Sequence, residues 1–255
     1  MAVYTTEIAS ETITSDNPIH QRLLKAYILA AGIVRGNLLE VGCGEGRGVQ
    51  WMLPKVEKFS AIDKIAGVVE SLKKKFPGAS FVSGNIPPLP YPDSTFDCVI
   101  SFQVIEHIAD DHLYLQEISR VLKPNGLALI TTPNRPMSLS RNPWHEREYT
   151  TDELTSLARK YFTHVEMKGI SGNEKVMQYY ERNKKAVDRI MRWDIFDLQH
   201  RLPASVLRFP YEVLNRLNRN KLNEAHELVA SIRHEDYLLS GEPEKSLDLF
   251  LIARK

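Results

Sequence analysis

Short apolar runs alternate with amphipathic stretches along the first two thirds of the chain. The pattern predicts an opening helix from Ile19 to Gly32, with Asn17 or Asp16 as cap and Pro18 at its first position. A first strand follows at Asn37–Val41 and breaks at Gly42. Further strands are predicted at Ser60–Asp63, Ala79–Val82, Phe96–Ser101, Gly126–Thr132 and Val165–Lys168, and a seventh at Leu247–Ala253. Helices are predicted between them: Val68–Lys75, then Asp111–Leu122 with Leu113, Ile118 and Leu122 on one stripe, and a third, capped by Thr151 or Thr150, that runs to Lys160. Near-continuous apolar strands separated by helices imply an α/β fold, a Rossmann-like, mostly parallel sheet covered on both faces. The last strand lies far from the sixth in sequence and is expected at an edge or antiparallel.

The stretch 170–245 has a different texture. It reads as helical, with a face of Val176, Tyr180, Val187, Ile190 and Met191, then a second helical piece over Ala204–Asn218 interrupted at Pro210. The expected organisation is a core of residues 1–169 and 246–255, with 170–245 as a helical insert or lid. From Lys175 to Lys221 there are 11 basic residues against 5 acidic; from Leu222 to Glu244 there is 1 basic against 6 acidic.

Composition narrows the classes. The 255 residues hold 33 basic and 32 acidic side chains, a net charge of +1, so no whole-surface basic field for nucleic acid is expected. Two cysteines, Cys43 and Cys98, make no disulfide framework and suit a reducing compartment. The N-terminus has no basic and apolar leader pattern, and no apolar run reaches the length of a membrane span. A cytoplasmic location is expected, with peripheral membrane contact through 201–221, where arginines mix with Leu202, Val206, Leu207, Phe209, Tyr211, Leu214 and Leu217.

The sharpest local signal is Leu38-Leu39-Glu40-Val41-Gly42-Cys43-Gly44-Glu45-Gly46. A strand runs into closely spaced glycines, which let the chain turn tightly and approach a ligand with no Cβ in the way. The spacing is not the G-x-G-x-x-G dinucleotide fingerprint, and it suits a nucleoside-bearing ligand without a pyrophosphate. Asp63, 17 residues beyond Gly46, ends the second predicted strand, where a carboxylate can accept both ribose hydroxyls.

On these residues the chain resembles a class I S-adenosylmethionine-dependent methyltransferase, of the group that includes the ubiquinone-type enzymes. Glu40–Gly46 matches the first motif, E-x-G-x-G-x-G. Gly84–Asp97 matches G-D-a-x-x-L-P-F-x-D-x-x-F-D, and Leu122–Leu127 matches the L-x-P-G-G turn. The resemblance covers residues 36–168 and the last strand. It implies S-adenosylmethionine as donor, held by Glu40, Gly42, Cys43, Gly44, Gly46, Asp63, Lys64, Ile65, Asn85, Ile86 and Gln103. Ile65 would lie against the adenine and Gln103 beside the methionine portion. Asn85 stands where the family usually has Asp; its amide oxygen can still accept from the adenine amino group.

Methyl transfer from a sulfonium asks the protein to align a nucleophile and remove its proton. His107 and His145 are the candidate bases, with Glu106 to orient one of them, because imidazole titrates near neutrality. Tyr149 could close over a substrate or pack. Glu106, His107 and His145 also offer a divalent metal two imidazoles and a carboxylate. That set resembles the metal-dependent small-RNA 2′-O-methyltransferases, whose motif runs E-x-x-E-H. Here Gln103 replaces the first acid, so no metal is assigned, and the balanced charge argues against RNA. The expected activity is O-methylation of a small-molecule, lipid-like or glycan acceptor, with Tyr179, Tyr180, Trp193 and Phe196 as candidate pocket residues. A cofactor-binding docking protein without catalysis is the contrasting expectation.

Overall fold

The computed structural model describes residues 16–192, 202–209, 211, 213 and 226–255. Helix α1 (Asn17–Ala31) leads into strand β1 (Asn37–Val41), a short α2 (Val49–Met52), β2 (Lys58–Asp63), α3 (Ala66–Lys75) and β3 (Ser80–Ser83). Then come β4 (Phe96–Phe102), α4 (Asp111–Val121), β5 (Leu122–Pro133), α5 (Thr151–Ala158) and β6 (His164–Gly172). Helices α6 (Glu174–Met191) and α7 (His226–Ser231) precede β7 (Tyr237–Ser240) and β8 (Asp248–Arg254).

The strands form one sheet in the order β3-β2-β1-β4-β5-β8-β6-β7. From β3 to β5 every pairing is parallel, and β8 enters antiparallel between β5 and β6. The last strand is thus antiparallel, as one of the two expectations had it, but it is not an edge. The edge on that side is β7, which adds an eighth strand to the expected seven. Its four residues, Tyr-Leu-Leu-Ser, are too short to show a period, and it lies inside the stretch read as helical.

Both faces of the sheet are covered, and the apolar runs show why. Leu38 packs into one core cluster while Leu39 and Val41 pack into the other. Phe250 and its neighbours Leu249 and Leu251 divide in the same way. Strands buried on two sides read as continuous apolar sequence. The α4 stripe differs from expectation. Leu113 is exposed, and the inward positions are Tyr114, Leu115, Ile118 and Val121, with Leu122 already the first residue of β5. The pairing of β4 with β5 shifts between Phe96 and Cys98, so the Lys123–Gly126 turn is looped out of the ladder. Thr150 proves to be the cap of α5, in a capping box with Glu153.

Strand order reverses at β1, which sits between β2 and β4. A crevice opens at such a switch point beyond the carboxyl ends of the strands. Near that end the later part of the chain is fastened to α1. Asn17 Nδ2 donates to the Val229 and Ile232 carbonyls (2.7 and 3.0 Å), and the Tyr237 hydroxyl donates to the Pro18 carbonyl (2.7 Å). Among the described residues no helix is long and apolar enough to cross a membrane.

Candidate active site

The glycine turn after β1 sets the first wall of the site. Gly42, Gly44 and Gly46 all have left-handed backbones (φ 78°, 48° and 77°). A Cβ on Gly42 would stand 2.4 Å from Val104, whereas a Cβ on Gly44 would meet nothing within 4 Å. Gly42 is therefore required by packing, and Gly44 by the open space it leaves in front of the backbone. The Gly44 amide donates to Asp63 Oδ2 (2.8 Å), and the Ile65 amide donates to Oδ1 (3.0 Å). These two bonds pin a nearly buried carboxylate at the end of β2.

A cavity of about 320 Å³ opens here. Gly42, Gly44, Asp63, Lys64, Ile65, Asn85, Ile86 and Gln103 line it, as the sequence expects of donor-binding residues. Glu40, Cys43 and Gly46 do not. Glu40 lies beneath the turn, where its Oε1 accepts from the Tyr27 hydroxyl (2.6 Å) and burial pushes its carboxyl up to about 8. Cys43 is buried in the core, and Gly46 gives room to Leu72 of α3. Val104, His107 and Ile108 complete the lining. The reading of the sequence did not place them there, although they follow Gln103 on the same strand end. The fit to an adenosyl ligand is good: a pinned carboxylate at a strand end, a backbone open at Gly44, an amide at Asn85 and apolar Ile65 and Ile86.

A second cavity, of about 280 Å³, lies beside the first. Its walls come from α1 (Ile19, Arg22, Leu23), from α6 (Val176, Tyr179, Tyr180) and from the segment after β5. Tyr179 and Tyr180 therefore belong to a pocket as expected, while Trp193 and Phe196 lie outside the described residues. Arg22 gave no signal in sequence, being one basic residue on an amphipathic helix. Its Nε stands 3.2 Å from Asp248 Oδ2, and burial pushes that carboxyl up to about 6.

Gln103 and His107 line both cavities. Gln103 has a left-handed backbone (φ 58°), and its Nε2 donates to Thr131 Oγ1 (3.3 Å). Ile105–His107 form a single 3-10 turn. The Glu106 carbonyl accepts from the Glu146 and Arg147 amides (2.7 and 3.2 Å), which docks the 142–149 loop onto this turn. His107 Nδ1 donates to the Trp144 carbonyl (2.9 Å), because a carbonyl can only accept. In the neutral ring the lone pair is then on Nε2. The His107 and His145 rings meet edge to face, their centroids 4.9 Å apart.

His145 is held on both sides. Asn142 Oδ1 accepts from the Trp144 amide (3.1 Å), which turns Asn142 Nδ2 to His145 Nε2 (2.8 Å). His145 Nδ1 then donates to Glu148 Oε1 (2.7 Å), and the other Glu148 oxygen accepts from Ser138. Glu106 is buried; Thr132 Oγ1 donates to its Oε2 (3.0 Å), and burial lifts its carboxyl to about 7. Donor atoms of Glu106, His107 and His145 lie within 4.8 Å of one another. Tyr149 is not a lid. It is fully buried, with its hydroxyl donating to Asp111 Oδ2 (2.8 Å).

This crevice, at the switch point of a sheet ending in an antiparallel strand, defines a nucleoside-binding α/β domain. Residues 39–130 match the family described as "Methyltransferase domain". A Mycobacterium tuberculosis protein named a probable S-adenosylmethionine-dependent methyltransferase is 38% identical over 134 residues, 51% of this chain and 49% of the relative. The fatty-acid O-methyltransferase of Mycolicibacterium smegmatis is 26% identical over 140 residues, 53% of this chain and 50% of that one. A solved S-adenosylmethionine-dependent methyltransferase from Thermotoga maritima shares the fold, with a TM-score of 0.59 at 15% identity, over 93% of this chain and 92% of that chain. The chain spans about half the length of the curated relatives it matches first. It carries a class I S-adenosylmethionine-dependent methyltransferase domain.

Proposed function

We propose that this protein transfers a methyl group from S-adenosylmethionine to a hydroxyl oxygen of a small or lipid-like acceptor held in the second cavity. One observation carries the reading: the two cavities meet at Gln103 and His107. The donor supplies an electrophilic methyl group. The protein's part is to align an oxygen with it, exclude water and take up a proton.

His107 stands at the meeting point with its Nδ1–H committed to Trp144, so its Nε2 can accept the acceptor's proton. In the simplest form of the reading it is the base. His145, tied to Asn142 and Glu148, positions the loop and the neighbouring ring instead. Apolar side chains of α1 and α6 fit a lipid-like acceptor, and the fatty-acid O-methyltransferase relative supports oxygen as the methylated atom.

Outside this cavity, α6 exposes Arg182, Lys184, Lys185 and Arg189, Arg192 just beyond it is exposed as well, and so are Val206 and Phe209 (56% and 76%). These residues support peripheral contact with an anionic membrane. Co-sedimentation with phosphatidylglycerol vesicles, absent with phosphatidylcholine alone, is the expected result.

The test of function is transfer of labelled methyl from S-adenosylmethionine to a panel of fatty acids, phenols and glycans. His107→Ala is expected to lower transfer by about 100-fold or more, the usual worth of a positioned base, while donor binding persists. Donor binding with no transfer to any acceptor, by wild type or variant, would instead favour a docking protein.

A further inference from the structure

Arg22 stands in the wall of the second cavity with most of its hydrogen-bonding capacity unspent. Its Nε is buried, 3.2 Å from Asp248 Oδ2, and Asp248 is itself 1% exposed. Both Nη nitrogens stay open to the cavity, and neither makes a hydrogen bond with a described residue. Burial raises the Tyr180 and Tyr237 phenols, and the charge of Arg22 works against the rise at both, so the guanidinium lies near both rings. Each of those hydroxyls donates its proton to a backbone carbonyl, of Met137 (3.1 Å) and Pro18 (2.7 Å). A guanidinium can only donate, so this wall presents an incoming ligand with unspent N–H groups and suits a group that only accepts.

The arginine is held for that task. Helix α1 is fastened at its first turn by Asn17 and Pro18, and Asp248, the first residue of β8, faces the Nε side. A guanidinium fixed from that side offers its Nη edge as a fork, the shape that takes a carboxylate by two parallel bonds. Ile19, Leu23, Val176 and Val187 line the same cavity and suit an apolar body. Charge limits the anion. Glu106 and Glu148 also line the cavity, and Asp248 is already beside Arg22. A carboxylate adds one negative charge there and a phosphomonoester nearly two, so the carboxylate meets less repulsion.

We propose that the Nη edge of Arg22 binds a carboxylate of the acceptor, which makes the acceptor an amphipathic hydroxy acid. Its carboxylate sits at Arg22, its apolar body between α1 and α6, and its hydroxyl where the two cavities meet. The proposal deepens the functional reading and rests on it for the hydroxyl, though not for the carboxylate. The hydroxyl is the group methylated. A carboxylate is already ionised at neutral pH and needs no base, and in the fork its oxygens are occupied by N–H groups.

The test titrates the full chain, with S-adenosylhomocysteine present, with 3-hydroxydecanoate, 10-hydroxydecanoate and 3-(4-hydroxyphenyl)propanoate, each beside its amide, and with decyl phosphate. At least one acid should bind saturably, about tenfold or more tighter than its amide, the usual worth of hydrogen bonds to a charged group. Arg22→Gln should erase that preference by weakening the acid, with the amide held within about twofold because it has no ion pair to lose. Losing Arg22 leaves Asp248 buried without its partner. The titration is therefore repeated on Arg22→Gln combined with Asp248→Asn, and thermal unfolding and S-adenosylhomocysteine binding report the fold of each variant. Arg22→Lys keeps the charge without the fork and should recover only part of the preference.

No acid preferred over its amide, or a preference that survives Arg22→Gln in a folded chain, would overturn the proposal. Tighter binding of decyl phosphate than of every acid, or a methyl ester as the product of transfer, would overturn it too. Acid binding that depends on Arg22, without transfer to any hydroxyl, would leave the carboxylate site standing and sink the functional reading. Transfer to the amides as readily as to the acids would do the reverse.

Discussion

The two cavities share Gln103 and His107 yet are built by opposite means. The donor cavity is made from the carboxyl ends of parallel strands, with residues from Gly42 to Ile108. Its decisive features are backbone ones: left-handed glycines, two amides on Asp63, and a turn after β4. The second cavity, which we propose for the acceptor, draws on residues from Pro18 to Leu247, mostly on helices and loops. Backbone geometry tolerates few residue types, whereas a side-chain wall can be recomposed at fixed fold. Substitutions in the two halves should therefore separate cleanly into effects on donor affinity and effects on acceptor use.

The largest effect should come from Gly42→Ala. The new Cβ would fall 2.4 Å from Val104, on a backbone at φ 78°. A loss of about 2–4 kcal/mol of stability is expected from clash and strain together, with donor binding abolished; thermal unfolding and calorimetry read both. Next is Asp63→Asn, which sets an amide nitrogen against the Gly44 or Ile65 N–H. A buried donor left unpaired costs about 1–3 kcal/mol, so affinity for S-adenosylhomocysteine should fall by one to two orders of magnitude with the fold retained.

The acceptor half is tested by Tyr180→Ala. Its hydroxyl donates to the Met137 carbonyl (3.1 Å) and its ring lines the second cavity. The acceptor KM should rise several-fold while donor affinity stays within about twofold, since a lost cavity contact acts on acceptor binding alone. Equal losses on both ligands would break the division between the halves.

A further effect concerns pH. Burial raises the Glu40 carboxyl from its ordinary 4.5 to about 8. Between those values the folded chain holds a proton that the unfolded chain has released, so this group makes stability fall as pH rises through that window. Glu40→Gln should flatten that part of the dependence of Tm on pH, and an unchanged slope would contradict the assignment.

The same contrast explains what the sequence could reveal. Strands β4, β5 and β8 were the most legible because burial on both faces writes near-continuous apolar runs, as at Leu127–Ile130 and Leu249–Leu251. β7 was not, because four residues at a sheet edge carry no period. In the site, Gly42, Gly44 and Asp63 announced themselves by residue type and spacing. Arg22 and Val187 did not, because their role depends on α1 and α6 being brought together from 165 residues apart. Glu40 shows the converse: a motif position whose side chain supports the turn from beneath and does not line the cavity.

The most direct test of the division is a calorimetric titration with S-adenosylhomocysteine on wild type, Gly44→Val and Val187→Trp, with NAD as control. A Cβ on Gly44 meets nothing within 4 Å, so the new side chain would intrude on the first cavity, with thermal unfolding reporting the strain of its left-handed backbone (φ 48°); Val187→Trp would fill the second. Binding by wild type but not of NAD, lost in Gly44→Val and kept in Val187→Trp, is the predicted result. Undiminished binding by Gly44→Val, or loss of binding in a folded Val187→Trp, would contradict the placement of donor and acceptor in separate cavities.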